Sequence, residues 1–263
     1  STPYFLVDEG RLRANLELLA DVQRRAGIDV TVDEAWEVVR QNLSDAGIAG
    51  IDFAKRLFEA APYGMDDAFV RRGLHLLDVW CEQAAGELRG ADAPDAFEER
   101  VEALKREWFR LFVGAGAPDA PCWESYYTEP NSQMFGERTL EVRAAYRRHG
   151  LQIERLHAEP DDHLGLMLGF MAHLCGAEAD ALAAGDEAAL RELRAEQEGF
   201  LEKHVLPWLA AWRYEVGKHA ASDYYRGAGE LAFGLCARYA QRFGIAFDED
   251  AQAFKRTVAV EEA

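Results

Sequence analysis

Three carboxylates and an imidazole are concentrated in one short stretch of the chain, Glu159-Pro160-Asp161-Asp162-His163, which we name the acidic corner. Pro160 keeps the backbone of Glu159 extended and cannot continue a helix, so the stretch predicts a rigid connection between two helices. Asp161 or Asp162 is then in position to cap the helix that follows. Two interpretations stay open at this point: a well-formed helix start, or a site for a cationic group.

A metal site is a further interpretation of the same region, because imidazoles and carboxylates bind several divalent ions. The candidate ligands are His157, Asp161, Asp162 and His163. Their spacing matches no compact metal motif such as H-E-x-x-H, and both histidines fit a turn equally well. The alternative function on this interpretation is a metal-dependent helical hydrolase. Ser125 does not add a nucleophile, since no G-x-S-x-G surrounds it. The main prediction is therefore a protein without catalytic residues, metal or cofactor.

Composition restricts the classes of partner. The chain has 263 residues, of which 49% are hydrophobic and 11% aromatic, as expected for an ordered globular protein. Its 47 acidic residues against 29 Lys and Arg give a formal net charge of −18, which argues against binding nucleic acid. A negative surface suits a cationic partner, and it is equally a common way of staying soluble.

Cysteine use and hydropathy predict a cytoplasmic protein without membrane insertion. The four cysteines show no C-x-x-C and no metal-like spacing, which favours reduced side chains in a cytosolic protein; they are Cys81, Cys122, Cys175 and Cys236. No uninterrupted apolar run reaches membrane-spanning length, and the first residues show no export signal.

Helical periodicity dominates the chain. The strongest amphipathic pattern follows a predicted cap at Asp95 and ends at a Gly/Ala/Pro loop, 114–121. Its apolar residues are Phe97, Val101, Leu104, Trp108, Leu111 and Phe112. On periodicity alone these side chains are core residues of a helix. An aromatic segment, 123–127, and a helix ended by Gly150 then lead to the acidic corner.

The remaining elements complete an all-α prediction. Asp186 opens a long helix, Pro207 kinks it or starts a new one, and Asp223 caps a final helix. His204, on the long helix, has the setting of a hydrogen-bonded structural histidine. No convincing alternating strands, internal repeat or domain linker is present. The predicted fold is one all-α domain over residues 1–263, a helical bundle of roughly nine helices.

Four ordered sequence blocks carry a resemblance to a known family. They are Trp108 to Gly114, Pro121 to Tyr127, Glu159 to His163, and a C-terminal pair, Phe200 to Trp208 with Tyr224 to Ala232. An aromatic-x-x-Leu-Phe helix end followed by an E-P-x-D-H corner resembles the TorD/DmsD family of cytoplasmic maturation chaperones for molybdenum-containing redox enzymes. The resemblance covers about residues 100 to 243. It implies a TorD/DmsD-like helical fold and a protein that is not an enzyme.

The resemblance also implies a function and partners. The expected partners are the twin-arginine signal peptide and the apo-form of a molybdenum-cofactor oxidoreductase, whose export is held back while the cofactor is inserted. The expected oligomeric state is a monomer or a domain-swapped dimer. The implied signal-peptide and client-binding residues are Trp108, Leu111, Phe112, Trp123, Glu124, Tyr127, Glu159, Pro160, Asp161, Asp162 and His163.

Physical chemistry agrees with a peptide receptor of this kind. Guanidinium groups bind carboxylates through paired, charge-assisted hydrogen bonds, so adjacent arginines require carboxylates in fixed positions. An apolar signal segment requires an apolar groove beside them. We expect the acidic residues among the implied binding residues to supply the carboxylates. We expect the aromatic and aliphatic ones to supply part of the apolar groove. The Arg-Arg pairs of this chain, at 24–25, 71–72 and 147–148, lie in predicted helices, which favours a reader of such signals over a carrier.

Overall fold

The structure is a computed structural model that describes residues 67–87, 93–114, 116–129, 135–153 and 160–257. All of these residues belong to one compact unit of the chain, which spans 53–263. His157 and Glu159 lie outside the described residues, as do the predicted helices before residue 67. The single domain over residues 1–263 therefore stays a prediction.

Helices make up most of the described chain, which confirms the all-α prediction. The α-helices are α1 (Ala68–Glu87), α2 (Ala93–Trp108), α3 (Glu124–Thr128), α4 (Glu137–Arg148), α5 (Leu164–Ala184), α6 (Glu187–Phe200), α7 (Leu206–His219) and α8 (Asp223–Gln241). Two π-helical segments are π1 (Phe109–Val113), which continues α2, and π2 (Leu201–Val205), which joins α6 to α7. Two strands follow α8: β1 (Ile245–Asp248) and β2 (Ala253–Arg256).

The strands form an antiparallel hairpin, and the prediction that the chain has no strands is wrong here. Phe247 lies opposite Phe254 in the register, and both rings contact Phe233 of α8, with centroid distances of 4.8 and 5.6 Å. Each strand has only four residues, which is too short for an alternating pattern to be read from sequence. Aromatic packing against α8 stabilises the hairpin, since an isolated hairpin is only marginally stable in water.

Helix starts test the predicted caps directly. Asp186 caps α6, because its Oδ1 accepts hydrogen bonds from the backbone N–H groups of Ala188 and Ala189 at 3.1 and 3.0 Å. The Ser222 side chain, and not Asp223, caps α8, so that prediction is wrong by one residue. The predicted cap at Asp95 is also wrong, since α2 already begins at Ala93.

Pro207 acts as predicted and starts a new helix. Proline removes one backbone donor and clashes with the preceding turn, so it is tolerated only in the first turn of a helix. Pro207 is in the first turn of α7, and the five residues before that helix form π2. A π turn is wider than an α turn, and it sets the side chains on the N-terminal side of Pro207 apart from the regular helical positions.

Glycines allow α1 and α8 to cross at very short range. A Cβ added at Gly73 would lie 2.6 Å from the backbone nitrogen of Leu231, and one at Gly234 would lie 2.6 Å from that of Val70. Real Cβ atoms do not approach backbone this closely, so a larger side chain at either position forces the helices apart. The crossing places α1 against the C-terminal half of the bundle.

The hydrophobic core is centred on α5, π2, α7 and α8. Its fully buried side chains include Met167, Leu174, Leu209, Trp208 and Phe233. Within the described residues, α5 alone has the length and apolarity to cross a bilayer, with a mean hydropathy of 1.2. The central helix of a bundle satisfies the same criterion, so the absence of membrane insertion stays a prediction.

Candidate functional site

A short backbone bridge joins the acidic corner to the segment before α3. The N–H of Glu124 donates to the carbonyl of Asp162 at 3.1 Å, and that of Leu164 donates to the carbonyl of Cys122 at 2.7 Å. Trp123 and His163 lie opposite each other in this bridge, with their rings edge to face at 5.8 Å. Two sequence blocks that lie almost forty residues apart therefore meet in one place.

Asp162 caps α3, not the helix that follows it in the chain. Its Oδ2 accepts a hydrogen bond from the Ser125 N–H at 2.7 Å, and its Oδ1 accepts one from the Thr139 hydroxyl at 2.7 Å. The side chain is fully buried. A carboxylate at a helix N-terminus satisfies free backbone donors and interacts favourably with the helix dipole. Asp162 thus ties α3 to α4 and has both oxygens occupied.

His163 caps α5, and the prediction that Asp161 or Asp162 does so is wrong. The Nδ1 atom of His163 accepts a hydrogen bond from the N–H of Gly165 at 3.1 Å. The reason is the backbone bridge, because it directs Asp162 back towards α3 and leaves His163 next to the first turn of α5. Acceptance at Nδ1 requires that this nitrogen carry no proton.

Asp161 forms an ion pair with Arg143 of α4. Its Oδ2 accepts from Nε and Nη2 of the guanidinium at 3.0 and 2.7 Å, while its carbonyl accepts from the Tyr146 hydroxyl at 2.9 Å. Asp161 is buried, and only 12% of the Arg143 side chain is exposed. Burial and the nearby carboxylates raise the pKa of Tyr146, so its hydroxyl stays protonated and able to donate.

Glu124 is fully buried beside His204 of π2. Its Oε2 lies 3.0 Å from His204 Nδ1, and its Oε1 lies 3.8 Å from Nε of Arg138. Burial raises the pKa of Glu124, although the hydrogen bond with His204 and the nearby cations act to lower it. The carbonyl of His204 accepts from the Trp208 indole at 2.7 Å, which holds π2 in place. His204 is thus hydrogen-bonded, as predicted.

Polar atoms without partners are concentrated at this site. In the described part of the chain, six buried side-chain atoms lack a hydrogen-bond partner. Five of them belong to the corner and the α3 segment: Trp123 Nε1, Glu124 Oε1, Ser125 Oγ, Tyr127 Oη and Asp161 Oδ1. An unpartnered buried polar atom costs about 1–3 kcal/mol, so each of these atoms requires a donor or acceptor that the described residues do not supply.

Comparison with known proteins identifies the family. The model of a family described as nitrate reductase delta subunit matches residues 77–213, just over half of the chain. The chain belongs to this family, the TorD/DmsD family. The match includes the π1 segment, the α3 segment, the acidic corner and π2, so it confirms the resemblance seen in the sequence blocks.

Curated relatives of the TorD/DmsD family match about half of the chain. The Tat proofreading chaperone DmsD of Salmonella typhimurium is 34% identical over 131 residues, which are 50% of this chain and 57% of the relative. The chaperone protein TorD of Vibrio cholerae is 28% identical over 144 residues, 54% of this chain and 64% of the relative. The chain therefore spans less than two thirds of the length of these relatives.

Two residues of the site that sequence reasoning missed, Thr139 and Arg143, lie outside the TorD/DmsD blocks and bind members of them. Arg143 and Thr139 stand four residues apart on one face of α4 and hold Asp161 and Asp162. The i, i+4 spacing of a hydroxyl and a guanidinium was the available signal, but it does not identify a partner. Nothing in the sequence links His204 to Glu124, eighty residues earlier.

The predicted apolar contacts divide into buried and accessible side chains. Leu111 is fully buried in the core, and the Phe112 ring lies edge-on to Tyr225 of α8 at 5.6 Å. Tyr127 stacks on Trp208 with a centroid distance of 5.2 Å. Trp108, Phe112, Trp123, Tyr127 and His163 are half-buried, whereas Leu111, Glu124, Pro160, Asp161 and Asp162 are buried. Contact with a client through the members of this set stays a prediction.

The candidate metal ligands do not form a metal site in the described chain. No group of three His, Cys, Asp or Glu side chains among the described residues could hold a metal ion. Asp161 and Asp162 contact Arg143, Ser125 and Thr139 instead of converging on one point. His157 lies outside the described residues.

Proposed function

We propose that this member of the TorD/DmsD family is a cytoplasmic maturation chaperone. Its clients are molybdenum-cofactor oxidoreductases that carry a twin-arginine signal peptide. The protein binds that signal and the apo-enzyme, assists cofactor insertion and holds back export until maturation is complete. It is a binding protein, not an enzyme, and it neither binds nucleic acid nor inserts into a membrane.

The observation that carries the proposal is the incomplete hydrogen bonding of the acidic corner. Among the described residues, Asp161 of the corner and Glu124 beside it each have one carboxylate oxygen engaged and one without a donor, and both lie directly beside the Trp123 bridge. A bound peptide brings N–H donors, from its backbone as well as its side chains, that these acceptors lack. Membership of a family whose relatives are named Tat proofreading chaperones supports the same conclusion.

Aromatic side chains at the bridge supply the apolar part of the interaction. Trp123 and Tyr127, which lie beside the corner, and His163, which belongs to it, are half-buried. Rings with a polar edge contribute large contact area and still donate hydrogen bonds, and neither Trp123 Nε1 nor the Tyr127 hydroxyl has a partner within the part of the chain that the structure describes. The net charge of −18 steers a cationic peptide towards the protein.

A peptide titration tests the signal-binding part of the proposal. A synthetic molybdoenzyme signal peptide with two adjacent arginines is titrated by calorimetry, and a twin-lysine version of equal charge is the control. We expect the twin-arginine peptide to bind at least about tenfold more tightly, because guanidinium donates in pairs to carboxylates. Equal affinities, or no binding of either peptide, would contradict the proposal.

Co-purification tests the client part. The chaperone is co-expressed with a twin-arginine oxidoreductase in cells that cannot make the molybdenum cofactor, and again in cells that can. We expect a stable complex with the apo-enzyme and its loss once the cofactor is inserted. Equal recovery of the complex from both cell types would overturn the role in maturation.

A further inference from the structure

A second feature adjoins the acidic corner on the side of π2. A groove of about 380 Å³ runs between α4 and the α6–π2 segment. Ala144, Ala145, Gly199 and Phe200 form its apolar floor, and His204, the partner of Glu124, lies along it. A Cβ at Gly199 would meet nothing within 4 Å, so the floor is open at that point.

Two salt bridges cross this groove. Nζ of Lys203 lies 2.8 Å from Glu141, and Nη2 of Arg148 lies 2.9 Å from Glu196. The wall formed by α4 contributes Glu141 and Arg148. The wall formed by the α6–π2 segment contributes Glu196 and Lys203. Seven residues separate the two salt bridges on each wall, which is about two helical turns. The two carboxylates therefore lie roughly 10 Å apart along the groove.

These bridges are weak compared with the ion pair of the corner. Lys203 and Arg148 are exposed over 52% and 61% of their side chains, against 12% for Arg143 in its pair with Asp161. Exposed ion pairs contribute at most about 1 kcal/mol, because water and salt compete with them. An incoming cation can exchange with Lys203 or Arg148 far more easily than with Arg143.

Both carboxylates keep a second partner when the crossing cation leaves. Glu141 also binds Nη1 of Arg138 at 3.3 Å, and Glu196 also binds Nε2 of His149 at 2.7 Å. Each carboxylate therefore stays oriented towards the groove while its other lone pairs become available. A carboxylate has acceptor sites for about four donors, which is enough for both partners.

We propose that this groove binds the two adjacent arginines of the signal peptide, with Glu141 and Glu196 as their partners. The inference rests on the proposed function and assigns its charge recognition to these two residues. Adjacent side chains of an extended peptide point to opposite sides, which directs one arginine to each wall. Each arginine of the peptide replaces one of the crossing cations, Lys203 or Arg148, as the partner of a carboxylate. The apolar residues that follow the two arginines in the signal peptide lie along the floor of the groove.

The acidic corner then supports the groove instead of receiving the arginines itself. Asp161 and Asp162 hold α4 through Arg143 and Thr139, which positions the wall that carries Glu141. Glu124 holds His204 on the opposite wall. A peptide that moves either wall therefore also affects Asp161 and Glu124, each of which has one oxygen without a donor among the described residues.

The test measures peptide affinity for charge variants by fluorescence anisotropy at two salt concentrations. Glu141→Gln and Glu196→Gln should each weaken binding of the twin-arginine peptide about tenfold and reduce its preference over the twin-lysine peptide. Asp248→Asn is the matched control, because it removes one carboxylate from a salt bridge with Lys255 on the hairpin. It reduces the net negative charge by the same one unit and should leave affinity within about twofold.

Lys203→Met gives a change of opposite sign. It removes the competing cation and keeps an apolar stem, so the twin-arginine peptide should bind about threefold more tightly. If the wild type prefers the twin-arginine peptide but Glu141→Gln and Glu196→Gln behave like Asp248→Asn, the groove is not the arginine site and the proposed function stands. If the wild type shows no such preference, the proposed function fails and this inference fails with it.

Discussion

Two buried carboxylate clusters lie in the same bundle and are completed to different degrees. Glu178 of α5 accepts hydrogen bonds on both oxygens, from Arg194 at 2.7 Å, from Gln197 at 3.0 Å and from both terminal nitrogens of Arg242. Glu124 of α3 has one oxygen beside His204 and the other without a hydrogen-bond donor among the described residues. The first cluster joins α5, α6 and the residue that follows α8, and its donors occupy both oxygens of Glu178.

The pKa values of the two carboxyls move in opposite directions for this reason. Burial acts to raise the pKa of Glu178, but the hydrogen bonds from its partners outweigh burial and lower it to about 2. For Glu124 burial outweighs the hydrogen bond with His204, and the pKa is raised. A completed cluster stabilises the fold, whereas an incomplete one costs stability and is retained where binding requires it.

Breaking the completed cluster should have the largest effect on stability. Glu178→Gln removes the charge between Arg194 and Arg242 and turns an acceptor into a donor that faces guanidinium. We expect a loss of about 2–3 kcal/mol in the free energy of unfolding, below the figure for fully buried pairs because both arginines are partly exposed. Urea unfolding at pH 7 measures it, and a loss under about 0.5 kcal/mol would contradict the comparison.

Asp162→Asn should have an intermediate effect. The amide can still accept from the Ser125 N–H, but its nitrogen must then face the Thr139 hydroxyl, and the charge at the start of α3 is lost. We expect a loss of about 1–2 kcal/mol by thermal unfolding. Asp186→Asn, at the exposed cap of α6, is the control and should lose no more than about 0.5 kcal/mol. Equal losses in both variants would mean that the corner is an ordinary cap.

Glu124→Gln should change stability little while it changes binding. An amide can either accept from or donate to His204 Nδ1, and it removes a buried charge that has one oxygen without a donor. We expect unfolding free energy within about 1 kcal/mol of the wild type at pH 8, together with several-fold weaker binding of a twin-arginine peptide. A loss as large as that of Glu178→Gln would show that the two clusters have the same role.

The pH dependence of these variants should differ in sign. The lowered pKa of Glu178 contributes stability above about pH 4.5 that is lost as pH falls towards about 2, so the gap between wild type and Glu178→Gln closes over that range. Because the pKa of Glu124 is raised in the folded protein, the folded state binds more protons than the unfolded state does above about pH 4.5. Wild-type stability relative to Glu124→Gln should therefore fall as pH rises from about 4.5. Denaturant titrations between pH 2.5 and 8 measure both trends.

Local sequence signals predicted the features that depend on neighbouring residues. The cap at Asp186 and the new helix at Pro207 follow from the chemistry of one side chain and its adjacent backbone. The prediction of the α5 cap was wrong because a backbone bridge to the segment before α3 directs Asp162 away from α5. Local residue preferences carry no information about such a bridge. The family resemblance identified the corner as important, but only the folded chain shows that its aspartates are already occupied by Arg143 and Thr139.

The close crossing of α1 and α8 has a consequence for the way the protein opens. Helices that touch backbone to backbone at Gly73 and Gly234 fit in one register only, because a slip of one residue drives a side chain into the opposing main chain. Partial separation of the two helices is therefore unfavourable, and α1 is either packed against α8 or fully separated from it. Hydrogen exchange should therefore report one common opening free energy for the amides of both helices at the crossing, with α1 exchanging as part of the same cooperative unit as α8.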